Sequence, residues 1–234
     1  MAIGFVAITV LLEPTPPPAH KVSLSEPLKA LRHRGLLVAG LVALFYNFGF
    51  FTLLSYTPFP LHMGAHALGA VFFGWGLMVA VFSVFAAPRV RDALGVVGTL
   101  TAMYAFMAST LIVMALGEAS PAVLATCVIV AGAFLGIINT VLTEAVMKVS
   151  PVERPVASSA YSFLRFAGGA IAPFLAGKLA EGVSLQAPFL VGAGAVLIAL
   201  AILLLGRRHL AAAESESVPG QLRIRPLRTA GART

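Results

Sequence analysis

The sequence predicts an all-α integral membrane protein, a bundle of about six transmembrane helices preceded by the stub of another helix. Three observations carry that expectation. Hydrophobic residues make up 59% of the 234 residues and charged residues only 11%. A water-soluble domain of that size has too little interior to hide so much apolar surface. The charges are also segregated. No Lys, Arg, Asp or Glu lies between Arg34 and Arg89, and further uncharged runs cover Ala93 to Gly117, Ala119 to Thr143 and Gly182 to Gly206. A hydrocarbon core roughly 30 Å thick takes about 20 apolar residues of helix, so each of these three runs fits one crossing and the long first run fits two. Finally, the bases that give the net charge of +7 stand in the short segments between apolar runs and in the tail. That is how a membrane protein marks its cytoplasmic side, and it argues against a nucleic-acid partner.

Residues 1–12 are apolar but too short to cross a bilayer, and no basic residue precedes them. They read as part of a transmembrane helix, with a short signal anchor as the alternative. Residues 13–35 form a cytoplasmic linker. Pro14, Pro16, Pro17 and Pro18 forbid a continuous helix there, and Ser23 to Arg34 has the pattern of a short amphipathic surface helix. The transmembrane bundle covers residues 36–206. Span I runs from Leu36 to Phe59, closed by Pro58 and Pro60, and an outer hairpin follows over Leu61 to His66. Span II covers Ala67 to Ala87, and a loop over Pro88 to Leu94 carries Arg89, Arg91 and Asp92. Span III (Gly95 to Leu116), a tight turn (Gly117 to Ser120) and span IV (Pro121 to Val146) come next. The loop Met147 to Pro155 holds Lys148, Glu153 and Arg154, ahead of span V (Val156 to Leu179) and span VI (Ala187 to Gly206). Residues 207–234 make a basic cytoplasmic tail whose Ser, Arg, Pro and Gly content predicts disorder. Fourteen Lys and Arg fall on the side of the linker and tail, against only Lys178 on the other. The rule of basic cytoplasmic loops therefore puts both ends of the bundle in the cytoplasm, as an even number of crossings requires.

Arg165 is the most informative residue, a guanidinium roughly 13 Å along span V. Charges at such depth usually face a cavity or a partner, so it reads as a gate or cavity residue. The alternative is an arginine that snorkels or only ties helices together. Ser158, Ser162, Arg165, Gly169, Pro173 and Gly177 recur at steps of three or four and form one small, polar stripe. Glu144, near the cytoplasmic end of span IV, is the natural partner for Arg165, or else a solvated helix-end carboxylate. Asn139 and Thr140 on span IV, with Tyr46, Asn47 and Thr52 on span I, are polar at mid-membrane depth. Each lines a cavity or bonds a neighbouring helix. Trp75, Tyr104 and the phenylalanines suit packing or lipid, and His62 and His66 an exposed hairpin. Cys127 stands alone in an apolar run. No catalytic motif, metal cluster or cofactor signature occurs, and no two carboxylates share a span, so no enzyme activity is expected.

Two runs carry a family resemblance. Asn139 to Glu181, NTVLTEAVMKVSPVERPVASSAYSFLRFAGGAIAPFLAGKLAE, resembles the tenth and eleventh helices of bacterial drug-exporting members of the major facilitator superfamily. Tyr46 to Leu61, YNFGFFTLLSYTPFPL, is similar to their seventh. The resemblance implies half of a major facilitator fold, built as two three-helix inverted repeats, with spans I, II, IV and V facing a central cavity. Ala172 to Gly177 is similar to the antiporters' Gly-Pro-x-x-Gly-Gly motif, and Ala87 to Gly95 to a degenerate form of their cytoplasmic Gly-x-x-x-Asp-Arg-x-Gly motif. Pro155 to Ser159 resembles the helix start that meets the intact motif on the other half. The function implied is the C-terminal half of a secondary active transporter: a proton-coupled multidrug or small-molecule exporter, an antiporter of the bacterial inner (plasma) membrane working by alternating access. Its partners would be the bilayer, a small amphipathic substrate, and the missing N-terminal six-helix half or a second copy. The alternatives are a truncated, inactive or partner-dependent membrane module, and a six-helix homodimeric carrier. Since the proton-carrying acid of such antiporters usually lies in the other half, the isolated chain is expected not to perform coupled export.

Overall fold

The computed structural model describes residues 26–150 and 152–210. The stub at 1–12, the proline-rich part of the linker and the tail beyond Leu210 lie outside the described residues. The elements are α1 (Glu26–Ala30), α2 (Arg34–Tyr56), α3 (Pro58–Leu61) and α4 (Ala65–Val81), which a π-helical turn, Phe82–Ala86, joins to α5 (Ala87–Leu116). After these come α6 (Pro121–Val149), α7 (Arg154–Gly182), α8 (Ala187–Leu205) and α9 (Arg207–Leu210). Proline stands in the first turn of α3, α5, α6, α7 and α8. At the starts of α6, α7 and α8 its missing N–H is one that a helix start leaves unpaired in any case.

Five helical runs are long and apolar enough to cross a bilayer, and the longest, Ala65–Leu116, has 52 residues. That run supplies two crossings, because it turns back on itself. Trp75 lies against Gly132 of α6, and the Phe106 ring stacks on Phe134 of the same helix at 5.5 Å between centroids. In one straight helix Trp75 and Phe106 would stand roughly 47 Å apart, yet both meet the middle of α6. The reversal is at Gly95, whose φ of 71° and ψ of 174° is a conformation essentially reserved for glycine. The loop expected over Pro88 to Leu94 is therefore helical, and the turn is a single residue. Helix passes through Pro88 because the preceding π turn widens the backbone where an α-helical carbonyl would clash with the proline ring. The expected linker helix, Ser23 to Arg34, also ends earlier than read. α1 ends at Ala30, which is buried, and the chain turns through Leu31 to His33 before α2 begins.

The packing has a repeat. α2 lies against α7 and α8, α6 lies against α4 and α5, and α5 lies against α8. Exchanging the first three crossings for the last three maps each of these interfaces onto another or onto itself. Each unit has an odd number of crossings, so the two units are inverted relative to one another. The matched interfaces also share a device. A side chain on Gly168 of α7 would collide with the Leu44 carbonyl of α2, and side chains on Gly132 and Gly136 of α6 would collide with the Trp75 and Val79 carbonyls of α4. Without a solvent-driven hydrophobic effect between helices, such close backbone approach is a main source of association in lipid.

Candidate functional site

Three helices converge on Arg165. Its Nε donates to Asn47 Oδ1 on α2 at 3.4 Å, and its Nη2 donates to Asn139 Oδ1 on α6 at 3.1 Å. Asn47 is oriented for this by its own helix: its Nδ2 donates to the Ala43 carbonyl at 2.9 Å, which leaves Oδ1 to face α7. The guanidinium also lies 5.7 Å from the Phe166 ring centroid, close enough for a cation–π contribution. Tyr161, one turn earlier on α7, brings its phenol to Thr143 and Arg165. Among the described residues no carboxylate is within ion-pairing distance of Arg165. The site thus holds a positive charge at mid-helix solvated by neutral oxygens, which accept its hydrogen bonds and leave its charge uncompensated.

Glu144 is not the partner the sequence proposed. It forms an ion pair with Arg91 (Nη1 to Oε2, 2.6 Å) and with Lys148, one turn on (2.8 Å). Arg91 reaches it from the helical segment between the π turn and Gly95, and also pairs with Asp92 at 3.0 Å. The hydrogen bonds it donates to Glu144 and Asp92 hold the Arg91 guanidinium even more firmly protonated than usual. Two bases closer to the helix end have satisfied Glu144, and Arg165 turns to amides instead.

The other candidates separate. Tyr46 is fully buried, packed on Tyr104 of α5 at 5.4 Å between centroids and on Phe50 at 6.4 Å. Thr52 faces Gly192 of α8 and donates to the Phe48 carbonyl, so it serves the helix interface rather than the Arg165 cluster. On α7, Ser158 is exposed and Ser162 half-buried. Gly169 receives the Phe51 ring of α2. Thr140 donates to the Gly136 carbonyl of its own helix. Pro173 stands further along α7, where a cavity of about 870 Å³ opens. Tyr56, Phe59 and His62 line it on one side, Glu118 at the α5–α6 turn on another, and Pro173 and Gly177 on a third. Its wall is mostly carbon, but the Glu118 Oε2 atom is buried there without a hydrogen-bond partner. A second acid, Glu181, is 3.7 Å from Lys178. Glu118 and Tyr161 were missed in the sequence. The available signal was a lone acid in a tight turn, and a phenol four residues ahead of Arg165.

A polytopic helical protein of two inverted three-helix units, with a charged residue held at the meeting point of three crossings, defines the class as a membrane carrier. Residues 59–232 match the Major Facilitator Superfamily profile, and the chain belongs to that family, whose members are transport proteins and not enzymes. It is 47% identical over 211 residues to the multidrug efflux protein YfmO of Bacillus subtilis (strain 168). The match covers 90% of this chain and 53% of that relative, so the chain spans about half the length of the curated relative it matches.

Proposed function

We propose that this chain is the C-terminal six-helix half of a secondary active exporter of small amphipathic compounds, driven by a proton gradient and working by alternating access in the plasma membrane, with both ends cytoplasmic. The observation that carries the reading is the Arg165 node. A guanidinium bonded to Asn47 and Asn139 on two other helices is a link that rocking of α7 makes or breaks. α7 is suited to such movement by its small-residue stripe and by Pro173, which leaves a backbone carbonyl without its helical donor. The relative's name, a multidrug efflux protein, supports export as the direction. The cavity at Pro173 has the size of a small-molecule site. Its apolar wall, with one buried carboxylate oxygen of Glu118, suits an amphipathic cation.

The test is accumulation of a fluorescent lipophilic cation in a drug-sensitive bacterium. The chain alone is expected to leave accumulation unchanged. Co-expression with the N-terminal half of the relative should lower it, and Arg165→Ala should abolish that gain. Robust, pH-gradient-driven export by this polypeptide alone in vesicles overturns the half-transporter reading. One observation supports a second reading, a six-helix carrier working as a homodimer. Phe73 and Leu77 on α4, with Phe163 and Phe174 on α7, are large, apolar and exposed, and a second copy could cover them as well as another half could. Symmetric crosslinking between cysteines placed at Phe174, in a chain that transports unaided, would favour that reading.

A further inference from the structure

At the end of the bundle near Arg34, the turn between α1 and α2 meets α9 around a cavity of about 470 Å³. Arg32, His33 and Arg34 line one side, and Arg208 and His209 the other. Among the described residues no carboxylate lines it. Among the described residues none of Arg32, Arg34 and Arg208 has an acid within ion-pairing distance, whereas Arg91 and Lys148 both share Glu144. The fold, not the chain's local sequence, brings these bases together. Leu210 anchors α9 by complete burial, and α9 packs on α2, α5, α6 and α8. Gly35 permits the approach, since a side chain there would collide with Val149 and touch the His209 carbonyl. α2 opens at the same place, and its N-cap residue, His33, makes no side-chain capping bond. The first N–H groups of a 23-residue helix therefore add positive potential to the same end.

Three guanidinium groups gathered with no counter-charge among the described residues repel one another unless an anion joins them. The forked donors of arginine match tetrahedral oxyanions, phosphate above all. The cavity also lies where α2 and α8 leave their uncharged runs, at the depth of lipid headgroups, and basic pockets between transmembrane helices at this level are the usual seats of anionic headgroups. We propose that this cavity is a phosphate-binding site, filled by an anionic phospholipid headgroup or by a free phosphate. The site is independent of the transport reading.

The experiment uses the full 234-residue chain in nanodiscs, reading the thermal unfolding midpoint and the phospholipid retained in native mass spectrometry. Discs of phosphatidylcholine alone are compared with discs of phosphatidylcholine and phosphatidylglycerol in equal parts. Phosphatidylcholine discs are also compared with and without inorganic phosphate, against chloride at equal ionic strength. A filled site is expected to raise the midpoint by about 3–6 °C. The rise should be at least halved in Arg32→Gln and in Arg208→Gln, and kept in Arg207→Gln, a base of the same short helix that does not line the cavity. A rise with phosphatidylglycerol identifies the lipid source, and a rise with inorganic phosphate the soluble one. No rise in either arm overturns the proposal. So does a rise that survives in both lining variants, or one that Arg207→Gln diminishes equally, since that is general surface charge.

Discussion

Arg165 joins Asn47 and Asn139 at once because a guanidinium carries donors along two edges of a plane. A lysine offers one compact ammonium instead of a planar fork and cannot span both amides. Arg165→Lys should therefore keep the charge but lose one of the two bonds. A hydrogen bond to a charged group contributes about 1.5–3 kcal/mol, so transport by the assembled protein is expected to fall by roughly tenfold or more, measured as the initial rate of dye efflux at matched expression. An equal rate for Arg165→Lys would mean that charge alone matters. Glu144 calls for a smaller effect. Its pairs with Arg91 and Lys148 are partly solvated, at 25–36% side-chain exposure, and such pairs contribute about 1 kcal/mol or less. Glu144→Gln should lower the unfolding midpoint slightly at low salt, and the difference should vanish in high salt, where screening removes the attraction. The depth of Arg165 within its span was legible in the sequence because a charge in an apolar run stands out. Its partner was not. Spacing placed Glu144 within reach, but the bases competing for it, and the tilt that turns Asn47 toward α7, are properties of the packed helices.

Six crossings were legible at the scale of the element because uncharged length and bilayer thickness are commensurate. The connection between α4 and α5 was not. Pro88, Arg89, Arg91 and Asp92 carry the composition of a loop, and only the widened π turn ahead of Pro88 lets helix continue through them. That leaves Gly95 to reverse the chain alone. Replacing it by alanine puts a Cβ on a backbone with φ of 71°, at a cost of about 1–3 kcal/mol. Gly95→Ala is expected to lower the detergent unfolding midpoint by several degrees. The same substitution at Gly76, which has open space around it and ordinary helical geometry, should be nearly neutral or mildly stabilising. Equal effects at the two positions would contradict the assignment of the turn to Gly95. The small-residue stripe of α7 was visible as periodicity, but its use was only partly so. Gly169 takes an aromatic ring from α2, whereas Ser158 and Pro173 remain exposed.

The order in which the crossings touch bears on how the whole molecule is assembled. α2, α4 and the crossing portion of α5 precede α6, α7 and α8 in the chain, and they meet one another only through a few rings, Tyr46 on Tyr104 and Phe50 on Trp75. Their extensive interfaces are with α6, α7 and α8. Each early helix must therefore enter the bilayer on its own hydrophobicity and wait, surrounded by lipid, until a later one arrives to grip it. Chains truncated after Leu116 and released should hold three inserted helices with only weak mutual contact, and protease resistance well beyond that of single spans should first appear once α6 is included. Packing of α2, α4 and α5 is thus governed by α6, α7 and α8, and a truncation that removes these three would be as damaging to the preceding crossings as a lesion within them.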